Sequence, residues 1–210
     1  MEEEFRALAR RVHAELAGPG ETVEYERLIT LAERGGGGRD EELARILTEP
    51  GRPLWAREIA AYALGCAGDR RAFETLVLLL NHRDPPRCAT AAHALARLGD
   101  PRTGRAAATL ATNRLRTAYA LHPVRLLTAL RTPESVPALI ATLEPLLAPG
   151  APAPLVSPLS SARIALACVE GLGALGDERA VPVLTAARDD PRLAAAASAA
   201  LARMADGAGA

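Results

Sequence analysis

The chain has 210 residues, and its 25 arginines balance 25 acidic residues with no lysine, so its formal net charge is zero. Alanine and leucine, which favour helices, number 46 and 32, whereas valine and isoleucine together number 14 and the aromatic residues six. This composition excludes an all-β fold and disfavours a parallel α/β sheet.

Hydrophobic periodicity predicts helices along almost the whole chain. We expect a cap helix over residues 2–17, about five helical pairs between residues 21 and 190, and a closing helix over residues 191–204. The acidic start at residues 1–5 is unlike a secretory leader. The longest apolar run, residues 164–169, is far shorter than the roughly 20 residues that span a bilayer. We therefore expect a cytoplasmic protein.

A six-residue turn motif recurs within this helical pattern. Its copies occupy residues 67–72, 98–103 and 175–180, with a degenerate copy at 130–135. The anchor positions of the four copies are Asp69, Asp100, Thr132 and Asp177. The glycine before each aspartate is expected to end one helix in a left-handed conformation, and the aspartate to cap the next helix. Each copy thus predicts a helical hairpin that must stack on its neighbours to bury its apolar face.

Proline and glycine mark the predicted breaks between helices. Pro101 and Pro133 are expected at the first position of the helix that follows each turn. The predicted turns and loops are residues 18–20, the glycine run 35–38, residues 50–53 and a Pro-rich insertion at 145–160.

The last turn motif resembles a known repeat family. Residues 173–184, Gly-Ala-Leu-Gly-Asp-Glu-Arg-Ala-Val-Pro-Val-Leu, are similar to the short HEAT-like repeats of phycobilin lyases, whose pattern is Leu-Gly-Asp-x-x-Ala-Val-Pro-x-Leu. Residues 134–139 match its second half. The resemblance implies an all-α, right-handed α-α superhelix, a HEAT-like solenoid of about five helical pairs plus terminal cap helices. The matching residues are caps and core, so they indicate a fold rather than a function.

The expected organisation is one continuous solenoid domain. Its parts are an N-terminal cap helix with a diverged first repeat at 1–52, HEAT-like repeats at 53–144, the Pro-rich insertion loop at 145–160, a last repeat with the C-terminal cap at 161–204, and a frayed tail at 205–210.

The resemblance implies several enzyme activities, but this chain does not contain the residues that those activities require. Deoxyhypusine hydroxylases bind two irons through His-Glu dipeptides, but no histidine here precedes a glutamate. The related DNA glycosylases use several aromatic residues, and here none follows Tyr119. The three cysteines, Cys66, Cys88 and Cys168, form no Cys-x-x-Cys motif and are expected to be small buried side chains. We therefore expect no enzyme activity, no metal and no cofactor.

Charge is distributed unevenly along the chain. Residues 59–131 carry a net charge of +7, between acidic segments of −4 at residues 1–58 and −3 at residues 132–210. Helical spacing places Arg102, Arg105, Thr109 and Thr112 on one side of a helix, which the resemblance would place on a concave surface. This pattern predicts an anion-recognising groove contacted by Arg102, Arg105, Arg114 and Arg116. The alternative is a solvated face, or one paired with the acidic repeats.

The functional prediction is a non-catalytic scaffold or adaptor that binds a protein or an acidic peptide in this groove. No membrane and no small-molecule substrate are expected. Two alternatives stay open: a nucleic-acid-binding or DNA-repair HEAT-like protein, and a subunit of a lyase-type enzyme. A nucleic-acid binder would lose affinity steeply with salt, whereas a lyase subunit would retain a small molecule.

Overall fold

The computed structural model describes residues 3–34, 37–148 and 157–207, and across those ranges the chain is helical with no strand. The helices pack in neighbouring pairs, which confirms the predicted all-α, HEAT-like fold. Contacts divide the chain into two compact units, Met1–Thr103 and Gly104–Ala210, where the sequence predicted one continuous domain.

The first unit begins with the predicted cap helix and continues with paired helices. Its helices are α1 (Glu3–Glu15), α2 (Pro19–Glu33), α3 (Gly37–Thr48), α4 (Leu54–Cys66), α5 (Phe73–Leu80) and α6 (Pro85–Leu98). Helix α4 is the centre of the unit, because it contacts α1, α2, α3, α5 and α6 and almost all of its residues are buried. Trp55, in the first turn of α4, belongs to this core.

The second unit repeats the arrangement. Its helices are α7 (Thr103–Thr112, starting at the unit boundary), α8 (Leu121–Leu130), α9 (Ser135–Leu147), α10 (Pro158–Leu175), α11 (Val181–Ala187) and α12 (Ala194–Gly207). A 3₁₀ segment, Arg114–Tyr119, joins α7 to α8. Helix α10 packs against α8, α9, α11 and α12. By length and composition α10 could cross a membrane, but a buried core helix meets the same criterion.

The repeated turns have the backbone that the motif predicts. Gly68, Gly99 and Gly176 are all left-handed, with φ of 82°, 65° and 71°. In the degenerate copy Arg131 takes the same conformation at φ 53°, although a side chain there costs energy that glycine avoids. The residue before every anchor is therefore left-handed, and the four repeats share one register.

Three sequence predictions require correction. Pro101 and Pro133 lie in the turns before α7 and α9, not at the first helical position, because the capped residues form a short turn before each α-helix. The predicted turn at residues 18–20 is mostly helix, since α2 begins at Pro19. The predicted loop at 145–160 is shorter than expected, because Pro145 lies inside α9 and α10 begins at Pro158.

Other predicted breaks fall partly or wholly outside the described residues. Residues 35–36 of the glycine run, residues 149–156 of the insertion and residues 208–210 of the tail lie outside them. The turn at residues 50–53 separates α3 from α4 as predicted, and Gly51 in it has a φ of 80°.

Candidate partner-binding surfaces

Three aspartates of the turn motif, and Asp190 in the turn before α12, each hold an arginine two residues later. The backbone N–H of the arginine donates to the aspartate carboxylate, and the guanidinium turns back to bind the same carboxylate. We call this arrangement the Asp–Arg clamp, and its pairs are Asp69–Arg71, Asp100–Arg102, Asp177–Arg179 and Asp190–Arg192. These hydrogen bonds lower the pKa of all four carboxyls, that of Asp177 to about 2.

The clamp determines the role of Arg102, the first predicted contact residue. Its Nη2 lies 2.9 Å from Asp100 and its Nη1 lies 3.1 Å from Glu74 on α5. The guanidinium also stacks on the ring of Phe73, with Cζ 3.9 Å from the centroid. Arg102 therefore joins its own turn to α5 within the first unit.

The other predicted arginines differ in their surroundings. Three of the four residues of the predicted stripe, Arg105, Thr109 and Thr112, lie exposed on α7, whereas Arg102 precedes the helix. Arg105 has no carboxylate within ion-pair distance in the described ranges, and neither has Arg114 on the 3₁₀ segment. Arg116 is half-buried and lies over the ring of Tyr119, 5.1 Å from its centroid.

Helix α1 covers one face of α4 and α6. Phe5 stacks on Tyr62 of α4 at 5.7 Å between ring centroids, and Tyr62 stacks on His93 of α6 at 5.8 Å. Glu4 lies 3.8 Å from the His93 ring nitrogen. The buried side of α1 is completed by Leu8 and Val12.

A buried ionic network binds α1 to the same face. Glu58 of α4 is only 1% exposed, and its carboxylate accepts hydrogen bonds from Arg11 of α1 and Arg87 of α6. Glu15 of α1 pairs with both arginines, so the network is electrically balanced. Burial by itself would lower the pKa of Arg11, but the hydrogen bonds and charge of Glu58 raise it. Sequence analysis missed this network, because its members are far apart in the chain.

Two helices of the second unit carry arginines that lack a carboxylate partner. Arg125 on α8 and Arg163 on α10 are exposed, and neither has an ion-pair partner among the residues that the structure describes. Both lie close enough to His122 to act on it. Burial, reinforced by these two guanidiniums, lowers the pKa of the half-buried His122 imidazole.

Reactive groups are not assembled elsewhere in the described ranges. No three His, Cys, Asp or Glu side chains there lie close enough together to hold a metal ion. Cys88 and Cys168 are buried, and burial raises the pKa of the Cys168 thiol to about 12, which keeps it protonated. An open cavity of about 450 Å³ in the first unit combines an aromatic wall of Phe5 and Tyr62 with Glu33 and Arg39. Arg39 is paired with Asp40.

Fold and repeated turns together define a HEAT-like repeat protein. The family described as PBS lyase HEAT-like repeat matches residues 164–190, which include most of α10, the Asp177–Arg179 clamp and α11. No curated protein sequence matches the chain.

A solved structure of human deoxyhypusine hydroxylase in complex with glycerol is similar to the chain at 17% sequence identity. The match covers 97% of this chain and 96% of that one, with a TM-score of 0.33. A likeness this weak carries no information on activity.

The four predicted contact residues are divided between the two units. Arg102 belongs to a clamp in the first unit, whereas Arg105, Arg114 and Arg116 belong to the second. Sequence analysis named none of His122, Arg125 and Arg163 as a site residue. Their juxtaposition has no local sequence signal, because Arg163 lies on α10 and the other two lie on α8.

Proposed function

We propose that the chain is a non-catalytic interaction module that binds an acidic protein or peptide through the arginines of its second unit. The supporting observation is that some arginines form ion pairs with carboxylates of the chain and others do not. Those of the Asp–Arg clamps and of the Glu58 network are held by carboxylates, whereas Arg105, Arg114, Arg125 and Arg163 have no such partner in the described residues.

An exposed guanidinium without a local carboxylate is available to bind one from elsewhere. Arginine suits this role, because its planar fork of donors matches a carboxylate in bidentate geometry. Residues 102–132 contain no acidic residue, so nothing in that segment competes for an acidic ligand. Arg102 then has a structural role in the clamp, and Arg105, Arg114 and Arg116 stay as proposed contacts.

Affinity capture with full-length protein as bait tests this proposal. The variant combines Arg105→Gln, Arg114→Gln and Arg116→Gln. A control with the same change in charge combines Arg6→Gln, Arg10→Gln and Arg45→Gln at exposed positions of the first unit. Quantitative mass spectrometry of an extract of the source cells then compares the proteins retained by each bait.

The expected result is a discrete protein that wild type and control retain and that the variant loses at least tenfold. Retention of the same protein by all three baits contradicts the role of these arginines. Retention of nucleic acid in place of protein, weakening steeply with salt, contradicts the proposal and supports the nucleic-acid alternative. A retained small molecule or cofactor supports the lyase alternative.

A further inference from the structure

The shared register of the repeats identifies equivalent faces in the two units. Tyr62, His93, Arg125 and Glu170 each stand seven residues before the anchor of their own repeat. Because the residue before every anchor is left-handed, these four positions project from the same side of α4, α6, α8 and α10. The α4–α6 face of the first unit thus corresponds to the α8–α10 face of the second.

In the first unit this face is a helix-binding surface, and the chain fills it with its own α1. Phe5 packs on Tyr62 there, and Leu8 and Val12 complete the buried side of the helix. Arg11 and Glu15 complete the contact through the Glu58 network. The occupant is therefore an amphipathic helix with apolar residues at i, i+3 and i+7 and charged residues beside them.

In the second unit the corresponding face is exposed. One stripe of α10 contains Leu159, Arg163, Leu166 and Glu170, and the two leucines are 73% and 36% exposed. Leu166 stands at the position that Glu58 occupies in α4, each the same distance before its anchor. The α4–α6 face thus has a charged residue, Glu58, at its centre, whereas the α8–α10 face has a leucine there.

Charge on this face indicates what it would accept. Arg125 and Arg163 are exposed and their charges both act on His122, and Glu170 is the single acidic residue of the α10 stripe. These residues give the face a net positive charge. It would therefore attract a ligand that carries carboxylates and repel one with many basic residues. Residues 149–156 of the chain itself carry no charge and cannot supply such carboxylates.

We propose that the α8–α10 face docks an acidic amphipathic helix from a partner protein, in the manner in which α1 occupies the α4–α6 face. Leucines of the face contact the apolar stripe of this helix, and Arg125 and Arg163 pair with its carboxylates. This inference rests on the proposed function and gives it a location and a ligand conformation.

A displayed library of helical 16-residue peptides, selected on the full-length chain, tests the inference without a known partner. The matched variants are Arg125→Gln with Arg163→Gln on the face, and Arg10→Gln with Arg188→Gln away from it. Selected peptides are then titrated by fluorescence anisotropy. Hydrogen exchange locates the backbone that they protect.

The expected peptides combine apolar residues at i, i+3 and i+7 with Asp or Glu, protect α8 and α10, and bind the face variant at least tenfold more weakly than the control. Three results would overturn the inference: no enrichment, peptides without acidic residues, or protection that maps elsewhere. If peptides protect α7 and the 3₁₀ segment while extract capture succeeds, the location fails and the proposed function stands. If neither experiment yields a protein ligand, the inference and the proposed function are both contradicted.

Two other occupants are separated by further measurements. A molar mass that rises with concentration, and that the face variant keeps low, would identify a second copy of this chain. Peptide affinity that increases after residues 149–156 are replaced by a Gly-Ser linker would identify that segment. Either result overturns the choice of a partner helix.

Discussion

At the scale of single residues, the Asp–Arg clamp shows how one side chain can serve two purposes. The carboxylate of Asp100 accepts the backbone N–H of Arg102, which would otherwise lack a partner at the start of the turn. The same carboxylate holds the Arg102 guanidinium over Phe73. Loss of the aspartate therefore removes a cap and an ion pair together.

Replacing Asp100 separates these two contributions. We expect Asp100→Ala to lower the free energy of unfolding by about 1 kcal/mol, because the cap is lost. Asp100→Asn should cost less, since an asparagine oxygen can still cap the turn. Urea denaturation followed by circular dichroism measures both variants. Equal losses in the two variants would show that the ion pair, and not the cap, stabilises the turn.

His122 should make stability depend on pH in a defined window. Its pKa is lower in the folded protein than the value of 6.5 expected when unfolded, so on acidification the unfolded chain takes up the proton first. The contribution of His122 is therefore complete above about pH 6.5 and is lost as the pH falls towards the folded pKa. The clamp carboxyls act in a separate window, below their ordinary pKa of 3.8.

Denaturation at a series of pH values between 5 and 8 tests this expectation. We expect wild type to lose stability below about pH 6.5 and His122→Gln to lose less. Arg125→Gln should shift the His122 pKa upward in NMR titration, because one repelling charge is removed. An unchanged histidine pKa in that variant would contradict the proximity of Arg125 and His122.

At the scale of elements, α1 is held to its unit by the Glu58 network as well as by apolar packing. Glu58 is charged and buried, so it depends on Arg11 and Arg87 for compensation. These arginines in turn depend on Glu58, because their remaining partner, Glu15, lies at the edge of the network.

Removing Glu58 should therefore be costly. We expect Glu58→Ala to lower the free energy of unfolding by about 3 kcal/mol, since two partly buried guanidiniums lose their shared carboxylate. Hydrogen exchange of α1 should accelerate more than that of α5. Glu74→Ala is the control, because this exposed glutamate pairs only at the surface and its loss should have a much smaller effect. Equal effects would show that the network does not anchor α1.

The elements also show what could be predicted from sequence. Hairpin turns, caps and the buried face of α7 follow from local chemistry, so residues such as Gly99 and Asp100 were identified correctly. The position of α1 could not be inferred, because it depends on pairing Arg11 with Glu58, 47 residues away. The contacts of Arg102 with Glu74 and Phe73 could not be inferred for the same reason, because they are not local.

At the scale of the whole molecule, zero net charge conceals opposing local charges. Residues 59–131 carry +7, and both flanking segments are negative. An acidic partner would be steered by the local field and not by the net charge, because charges farther away than about 10 Å are screened at 0.1 M salt.

Association with the acidic partner proposed here should consequently depend on salt mainly through its rate. We expect the association rate constant to fall about tenfold between 0.05 and 0.5 M salt, with little change in the dissociation rate. Surface plasmon resonance with the captured protein measures both constants. A rate that does not vary with salt would indicate an apolar interaction and contradict the role of the arginines.

The Asp–Arg clamp also bears on how such a chain can lengthen. Each clamp takes its capping bond and its central ion pair from residues two positions apart, so every clamped turn carries these hydrogen-bond partners itself. A tandem duplication of residues 69–99 would add a complete hairpin that ends in its own left-handed glycine and is followed by a second clamp. The capping bonds of the clamps at the junction would keep their partners. Growth or loss of whole repeats is then a small evolutionary step, whereas an insertion of a few residues inside a turn is not.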